Sequence, residues 1–295
     1  MRTEIVRVRL YVMNNERLGK PAVMNTPGFE AIIADPAGAV IGLDFDGTLA
    51  PIVPDPDDAR IHPKAPAVLA RLGLMVKAVV VVTGRPAATA VAYGEGLEKV
   101  PGLVILGHYG FERWEAGRVS APPAPPGVQR VGIELPPLLR ALGVEGVVIE
   151  DKQRSVAVHT RRSPDPEGAL EVLREPLARL AEVYGLVVEP GRMVLELRPP
   201  GMDKGLALDM FLAERGARSV LFAGDDLGDL AAFAAVRASG LPGVTVCSGS
   251  AEAPELAARA DIVVDGPEGI VALLEELATA LAGPESSTSG AFSRS

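Results

Sequence analysis

Short, unbroken apolar runs alternate with helical patterns over most of the chain. The runs are Val40–Leu43, Ala78–Val82, Leu103–Leu106, Ser219–Phe222, Gly243–Val246 and Asp261–Val264. Pro66–Leu72, Lys204–Arg215, Leu227–Arg237 and Gly269–Leu281 space their apolar residues as one face of a helix does. Strands that are apolar throughout, rather than at every second residue, predict a sheet covered on both faces. The fold class that follows is α/β, a doubly wound parallel sheet. After Trp114 the alternation breaks at Pro122–Pro126, which reads as a linker. A helix-like piece near Leu135–Leu142 comes next, then strands at Gly146–Asp151 and Ser155–Thr160. A helix at Glu167–Tyr184 and strands at Leu186–Glu189 and Met193–Arg198 complete an α+β unit inserted in the parallel-sheet domain. We therefore expect a parallel-sheet core from 31–119 and 199–283 and an inserted α+β unit at 120–198. A loosely attached N-terminal arm at 1–30 and a disordered tail at 284–295 flank them.

Composition narrows the class. With 295 residues, 48% of them hydrophobic, the chain can build two modest cores, which excludes global disorder. No apolar run approaches the ~20 residues of a membrane helix, so no membrane partner is expected. The start, Met1-Arg2-Thr3-Glu4-Ile5-Val6-Arg7, alternates charge with apolar residues and shows no secretory signal. The single cysteine, Cys247, leaves no internal disulfide or cysteine metal cluster and reads as a small buried hydrophobe. A cytoplasmic monomer is the expectation. The net charge of −9 argues against nucleic acid as a partner. An anionic substrate remains open where a metal and a few cations reverse the field locally.

Four strings carry candidate chemistry, each just after or near a core strand. In open α/β sheets ligands collect at the carboxyl ends of strands. Asp44-Phe45-Asp46-Gly47-Thr48 places two carboxylates at i and i+2, on one side of an extended chain. One could attack phosphorus while the other handles a proton. A plain strand-to-turn junction also uses Asp and Gly. A calcium loop would follow a helix and end in Glu, whereas Asp55 stands at its twelfth position. Thr83-Gly84-Arg85-Pro86 offers a hydroxyl and backbone N–H groups at a helix start, although Thr is also an ordinary cap. Lys204 falls in the first turn of a helix, against the dipole, which suggests an anion nearby. Asp225-Asp226-Leu227-Gly228-Asp229 crowds three carboxylates whose repulsion a cation would relieve. Oxygen ligands of this kind suit magnesium.

The order of these strings resembles the haloacid-dehalogenase superfamily of phosphotransferases, over about residues 39–282. The resemblance implies a Rossmann-like core with an inserted cap and a phosphoryl-transfer site. In it Asp44 is the nucleophile, Asp46 the general acid/base, and Thr83 and Lys204 hold the phosphoryl group. It further implies magnesium bound by the Asp44 side chain, the Asp46 carbonyl and Asp225, with Asp229 in support. Within that superfamily the chain is similar to the trehalose-6-phosphate phosphatases. The strings are Asp46–Val53, Gly107-His108-Tyr109-Gly110-Phe111-Glu112, Glu150-Asp151-Lys152 through His159-Thr160-Arg161, and Leu195–Pro199. By that likeness Glu112, Lys152 and Glu196 approach the sugar, and Arg85, His108, Gly110 and His159 join them as candidate substrate contacts. Two departures stand out: Gly228-Asp229-Leu230 replaces the family's Thr-Asp-Glu run, and Thr160 replaces an aromatic residue after His159.

The expected activity is magnesium-dependent hydrolysis of trehalose 6-phosphate to trehalose and phosphate through an aspartyl-phosphate. Its alternative is hydrolysis of another sugar phosphate, such as sucrose 6-phosphate or a mannosyl-glycerate phosphate. A silent sugar-phosphate sensor and a phosphomutase are more distant alternatives. His62 reads as solvent-facing and the Arg161-Arg162 pair as solvated surface. His108 is open between a neighbouring carbonyl and substrate, and His159 between sugar and surface.

Overall fold

The computed structural model describes residues 22–283 apart from 124, 192, 202 and 250–253. The expected tail at 284–295 and the first 21 residues of the expected arm lie outside the described residues. The chain enters through α1 (Pro27–Ala34), β1 (Ala39–Leu43), α2 (Ala65–Gly73), β2 (Ala78–Val82), α3 (Ala87–Tyr93) and β3 (Leu103–Gly107). A hairpin of β4 (Glu112–Glu115) and β5 (Arg118–Ser120) follows. The inserted unit comprises α4 (Pro126–Leu142), β6 (Val148–Asp151), β7 (Val156–His159), α5 (Pro166–Val183), β8 (Val187–Gly191) and β9 (Val194–Arg198). The chain returns through α6 (Lys204–Arg215), β10 (Ser219–Gly224), α7 (Leu230–Ala238), β11 (Gly243–Gly249), α8 (Pro254–Arg259), β12 (Ile262–Asp265) and α9 (Gly266–Ala282).

The large sheet has the order β12-β11-β10-β1-β2-β3-β4-β5. Its six strands from β12 to β3 run parallel, and the β4–β5 hairpin adds an antiparallel edge. Apolar side chains leave both faces, as the uniform strands require. On one face Phe29, Ile32, Leu69, Leu72 and Leu274 pack against the sheet. On the other Leu208, Phe211, Phe222 and Phe233 do so. Strand order reverses beside β1, because the chain fills β2 and β3 on one side and β10 to β12 on the other. That switch point leaves a crevice at the carboxyl ends of β1 and β10.

The smaller sheet is antiparallel in the order β6-β7-β9-β8 and is covered on one face only. Val156, Val158, Leu195 and Leu197 meet Val131, Leu135, Leu173 and Leu177 of α4 and α5. A period of two sends the intervening residues of β9, Glu196 and Arg198, to the opposite face. That polar face closes over the crevice of the large sheet, where both residues line the cleft.

Three expectations change. Residues 24–32 are no loose arm: Met24, Phe29 and Ile32 are buried in the main core. Pro27 sits in the first turn of α1, where its missing N–H costs nothing. Likewise α4 begins at Pro126, so part of the expected linker is helix. The parallel sheet also carries the β4–β5 edge, whose charged alternation around Trp114 hides it from an apolar-run reading. If α1 is a core element, Phe29→Ala should destabilise the protein by about 3–5 kcal/mol, the cost of a large buried aromatic. Urea denaturation monitored by circular dichroism measures this, and a loss below about 1 kcal/mol would return α1 to the status of an arm.

Candidate active site

The ladder between β1 and β10 continues one residue past β1, where the Asp44 amide donates to the Ala223 carbonyl at 2.8 Å. The Asp44 carboxylate is thereby fixed at the sheet's carboxyl edge and is buried. Its Oδ1 lies 2.9 Å from the Lys204 Nζ, and that ammonium also donates to Asp229 Oδ1 at 2.8 Å. Lys204 opens α6 behind the Asp203 cap, whose carboxylate accepts from the Leu206 amide. A cation at a helix start is opposed by the dipole, and these two carboxylates outweigh that cost. The anion expected near Lys204 is thus already present in the protein.

Asp229 is wholly buried, and its Oδ2 accepts from the amides of Asp225 (3.0 Å) and Asp226 (3.2 Å). One ammonium therefore stands among several carboxylates. Burial lifts Asp44 well above the usual carboxylate range, with Lys204 opposing. Burial, reinforced by the Asp229 charge, pushes Asp225 up to about 8, and burial raises Asp229 to about 6. Burial also opposes the charge on Lys204, yet Asp229 and Asp44 hold its ammonium well above its ordinary range. Ligand oxygens of Asp44, Asp225 and Asp229 lie within 4.8 Å of one another. Asp225 Oδ1 is buried with no hydrogen-bond partner among the described residues. Gly47, at φ +74°, makes room: a Cβ there would lie 1.9 Å from Asp225 Oδ2. An all-oxygen donor set with excess negative charge fits a hard divalent cation. Asp229, with both oxygens engaged, would support such an ion from behind.

Thr83 follows β2 and is buried. Its hydroxyl accepts from the Arg85 amide at 3.1 Å, and its carbonyl accepts from the Tyr109 amide at 2.9 Å. Arg85 donates to Asp46 through both Nε and Nη2 at 2.7 Å, and its guanidinium lies over the rings of Phe45 and Tyr93. Arg85, expected as a substrate contact, holds the second aspartate of the first string in this structure. Both line the cleft.

From the inserted unit, Lys152 Nζ donates to Glu196 Oε2 at 3.2 Å, as does the Tyr109 hydroxyl at the same distance. Burial disfavours the Glu196 charge, but Lys152 and the Ser155 hydroxyl bring its carboxyl below the ordinary value. Glu112 does not stand free for a sugar. It accepts from the Ala87 amide at 2.9 Å and from Arg154 Nε at 3.0 Å. His108 is buried beside it, and burial lowers its pKa toward the neutral ring. Gly110, at φ +98°, ends the turn after β3. His159 pairs with Glu150 at 2.8 Å, and both line the cleft. Of two surface expectations, the Arg161-Arg162 pair is exposed as expected, whereas His62 is partly buried. Arg161 donates to the carbonyls of Val53 and Pro54 and Arg162 pairs with Asp55, so the pair bridges the two units. His62 pairs with Glu268 at 2.6 Å. The cleft lined by Asp44, Asp46, Thr83, Arg85, Glu196 and Lys204 holds about 450 Å³. Among its lining residues Tyr109 and Arg198 were not singled out by sequence, nor was Arg154 behind Glu112. No spacing rule marks them, because their roles depend on a turn and on the second sheet.

Over residues 42–262 the chain matches the family described as trehalose-phosphatase. It is 35% identical over 212 residues to an uncharacterized glycosyl hydrolase of Mycobacterium tuberculosis, covering 68% of this chain and 15% of that one. The chain thus spans a small part of that relative's length. It is 32% identical over 224 residues to a probable trehalose-phosphate phosphatase of Sinorhizobium fredii, covering 74% of this chain and 82% of the relative. The structure of the C. albicans trehalose-6-phosphate phosphatase C-terminal domain shares the fold, with a TM-score of 0.70 at 21% identity over 89% of this chain and 97% of that one. With its carboxylates gathered at the switch point and this match over most of its length, the chain belongs to the trehalose-phosphatase family.

Proposed function

We propose that the protein is a magnesium-dependent phosphatase that hydrolyses trehalose 6-phosphate to trehalose and phosphate. The observation that carries this reading is the buried Asp44 carboxylate, 2.9 Å from Lys204 at the mouth of a cleft closed by a polar sheet face. Asp44 attacks phosphorus, the new O–P bond forms, and the bond from phosphorus to the sugar oxygen breaks. Asp46 gives that oxygen its proton, then takes one from the water that releases phosphate from Asp44. To do so Asp46 must exchange its two bonds from Arg85 for the reacting oxygens. The Thr83 hydroxyl and Lys204 hold phosphoryl oxygens. Asp44, Asp225 and the Asp46 carbonyl would hold magnesium, backed by Asp229. When bound, the ion supplies charge neutralisation between a carboxylate and a phosphate dianion that otherwise repel.

The inserted unit serves as a cap over residues 120–198, with Lys152 and Glu196 contributing sugar contacts. Glu112 acts on that surface indirectly, through Arg154. A lone, buried Cys247 thiol suits a cytoplasmic setting. Among the described residues no helix is long and apolar enough to cross a membrane.

The reading is tested by phosphate release from a panel of sugar phosphates, with and without magnesium. Trehalose 6-phosphate should be the preferred substrate and chelation should stop turnover. Asp44→Asn should lower kcat roughly a thousandfold or more in protein whose circular dichroism shows the native fold, since an amide is a very poor nucleophile. Activity within tenfold of wild type would remove Asp44 from the reaction. Magnesium at a hundredfold excess over its Kd should also add about 2.7 kcal/mol of stability, seen as a higher melting temperature. Gly47→Ala should cancel that rise, because its methyl group would displace Asp225. A melting curve indifferent to magnesium in the wild type would contradict the metal site.

A further inference from the structure

The turn after β3 is strained. His108 (φ +48°) and Tyr109 (φ +57°) both adopt left-handed backbone before Gly110. Two consecutive non-glycine residues in that region are costly and persist only where the surroundings demand them. Here the turn delivers the half-buried Tyr109 ring to the seam between the two units. The Tyr109 amide is tied to the Thr83 carbonyl at 2.9 Å, so the ring is built on the phosphate loop. Its hydroxyl donates to Glu196 Oε2 at 3.2 Å, and the Arg198 guanidinium lies 4.7 Å from the ring centroid. The fit is close, since a Cβ on Gly84 would fall 2.7 Å from that hydroxyl.

We propose that Tyr109 is a positioning residue for the sugar half of the substrate: its hydroxyl aims Glu196 into the cleft, and its ring fixes Arg198 beside it. The inference rests on the sugar-phosphatase reading above. A carboxylate has about four acceptor sites. On Glu196, Tyr109 and Lys152 engage Oε2 and the Ser155 hydroxyl engages Oε1. One site on Oε1 is left for a substrate hydroxyl, with the rotamer fixed from three sides. Burial and the Glu196 charge keep the Tyr109 hydroxyl protonated, hence a donor. Tyr109 thus sets the distance between the phosphoryl end, on Thr83, and the sugar end, on β9. A substrate with phosphate but no sugar would not sense that distance.

Tyr109→Phe keeps the ring and removes only the hydroxyl. Kinetics are measured on whichever sugar phosphate the wild type prefers, and on para-nitrophenyl phosphate. We expect KM for the sugar phosphate to rise about tenfold with kcat little changed, matching a lost hydrogen bond to a charged group. The loss in kcat/KM on the sugar phosphate should exceed that on the aryl phosphate by about tenfold. In a Glu196→Gln background the same change should add less than twofold, because the two residues act as one unit. A wild-type KM, equal losses on both substrates, or additive losses in the double variant would each overturn the proposal. A wild-type preference for a sugar phosphate other than trehalose 6-phosphate would instead overturn the substrate reading, and leaves this test in force on the preferred sugar.

Discussion

The Lys204 ammonium lies between Asp44 and Asp229, with all three groups buried, and the rest of the site is arranged around that contact. Removing one partner would leave a buried charge uncompensated, a change that costs several kcal/mol. The fold makes this contact possible by bringing three strand-end segments together: the exit of β1 supplies Asp44, the start of α6 supplies Lys204, and the loop after β10 supplies Asp229. None of the three is near another in sequence. The parallel sheet, clad on both faces by apolar side chains, is the frame that holds them within hydrogen-bonding distance. The surplus of carboxylate over ammonium gives the edge of the sheet a place for a cation, and a cation there can draw in a phosphate.

The second sheet answers a different need. Its apolar face is satisfied by α4 and α5, so its polar face is available to the crevice. The seam is not loosely polar. Glu196 meets Tyr109, Arg154 meets Glu112, and Arg161 reaches the carbonyls of Val53 and Pro54. Each of these joins a side chain of the inserted unit to the loops beyond β1 or β3 or to the start of β4. The phosphoryl end and the far end of the cleft are therefore measured against one another by direct contacts. Arg85 adds a further control, because it holds Asp46 by both oxygens until another group takes its place.

Much of this was legible in the sequence, for physical reasons. Strands buried on both faces are apolar without interruption, so β1, β2, β3 and β10 stood out. The helix at Lys204–Arg215 was bounded by Asp203, which caps it, and by Gly216, whose left-handed conformation ends it. Four chemical strings near strand ends were visible for the same reason, and the structure gathers Asp44, Asp46, Thr83, Lys204 and Asp225 in one cleft. Helices α1 and α4 were obscured because Pro27 and Pro126 read as breaks, whereas both occupy first-turn positions that tolerate proline. Tyr109 was hidden between two residues that were noticed, His108 and Gly110. Its importance comes from a left-handed turn and a partner 87 residues away, neither of which leaves a local pattern.

The central claim is that a carboxylate of the protein, and not water, first attacks phosphorus. The stereochemical course of hydrolysis tests it most directly, using a sugar phosphate whose phosphorus is made chiral with sulfur and oxygen isotopes. Two successive in-line displacements, at Asp44 and then at water, predict net retention of configuration at phosphorus. Net inversion would mean a single direct attack by water, and would contradict the account.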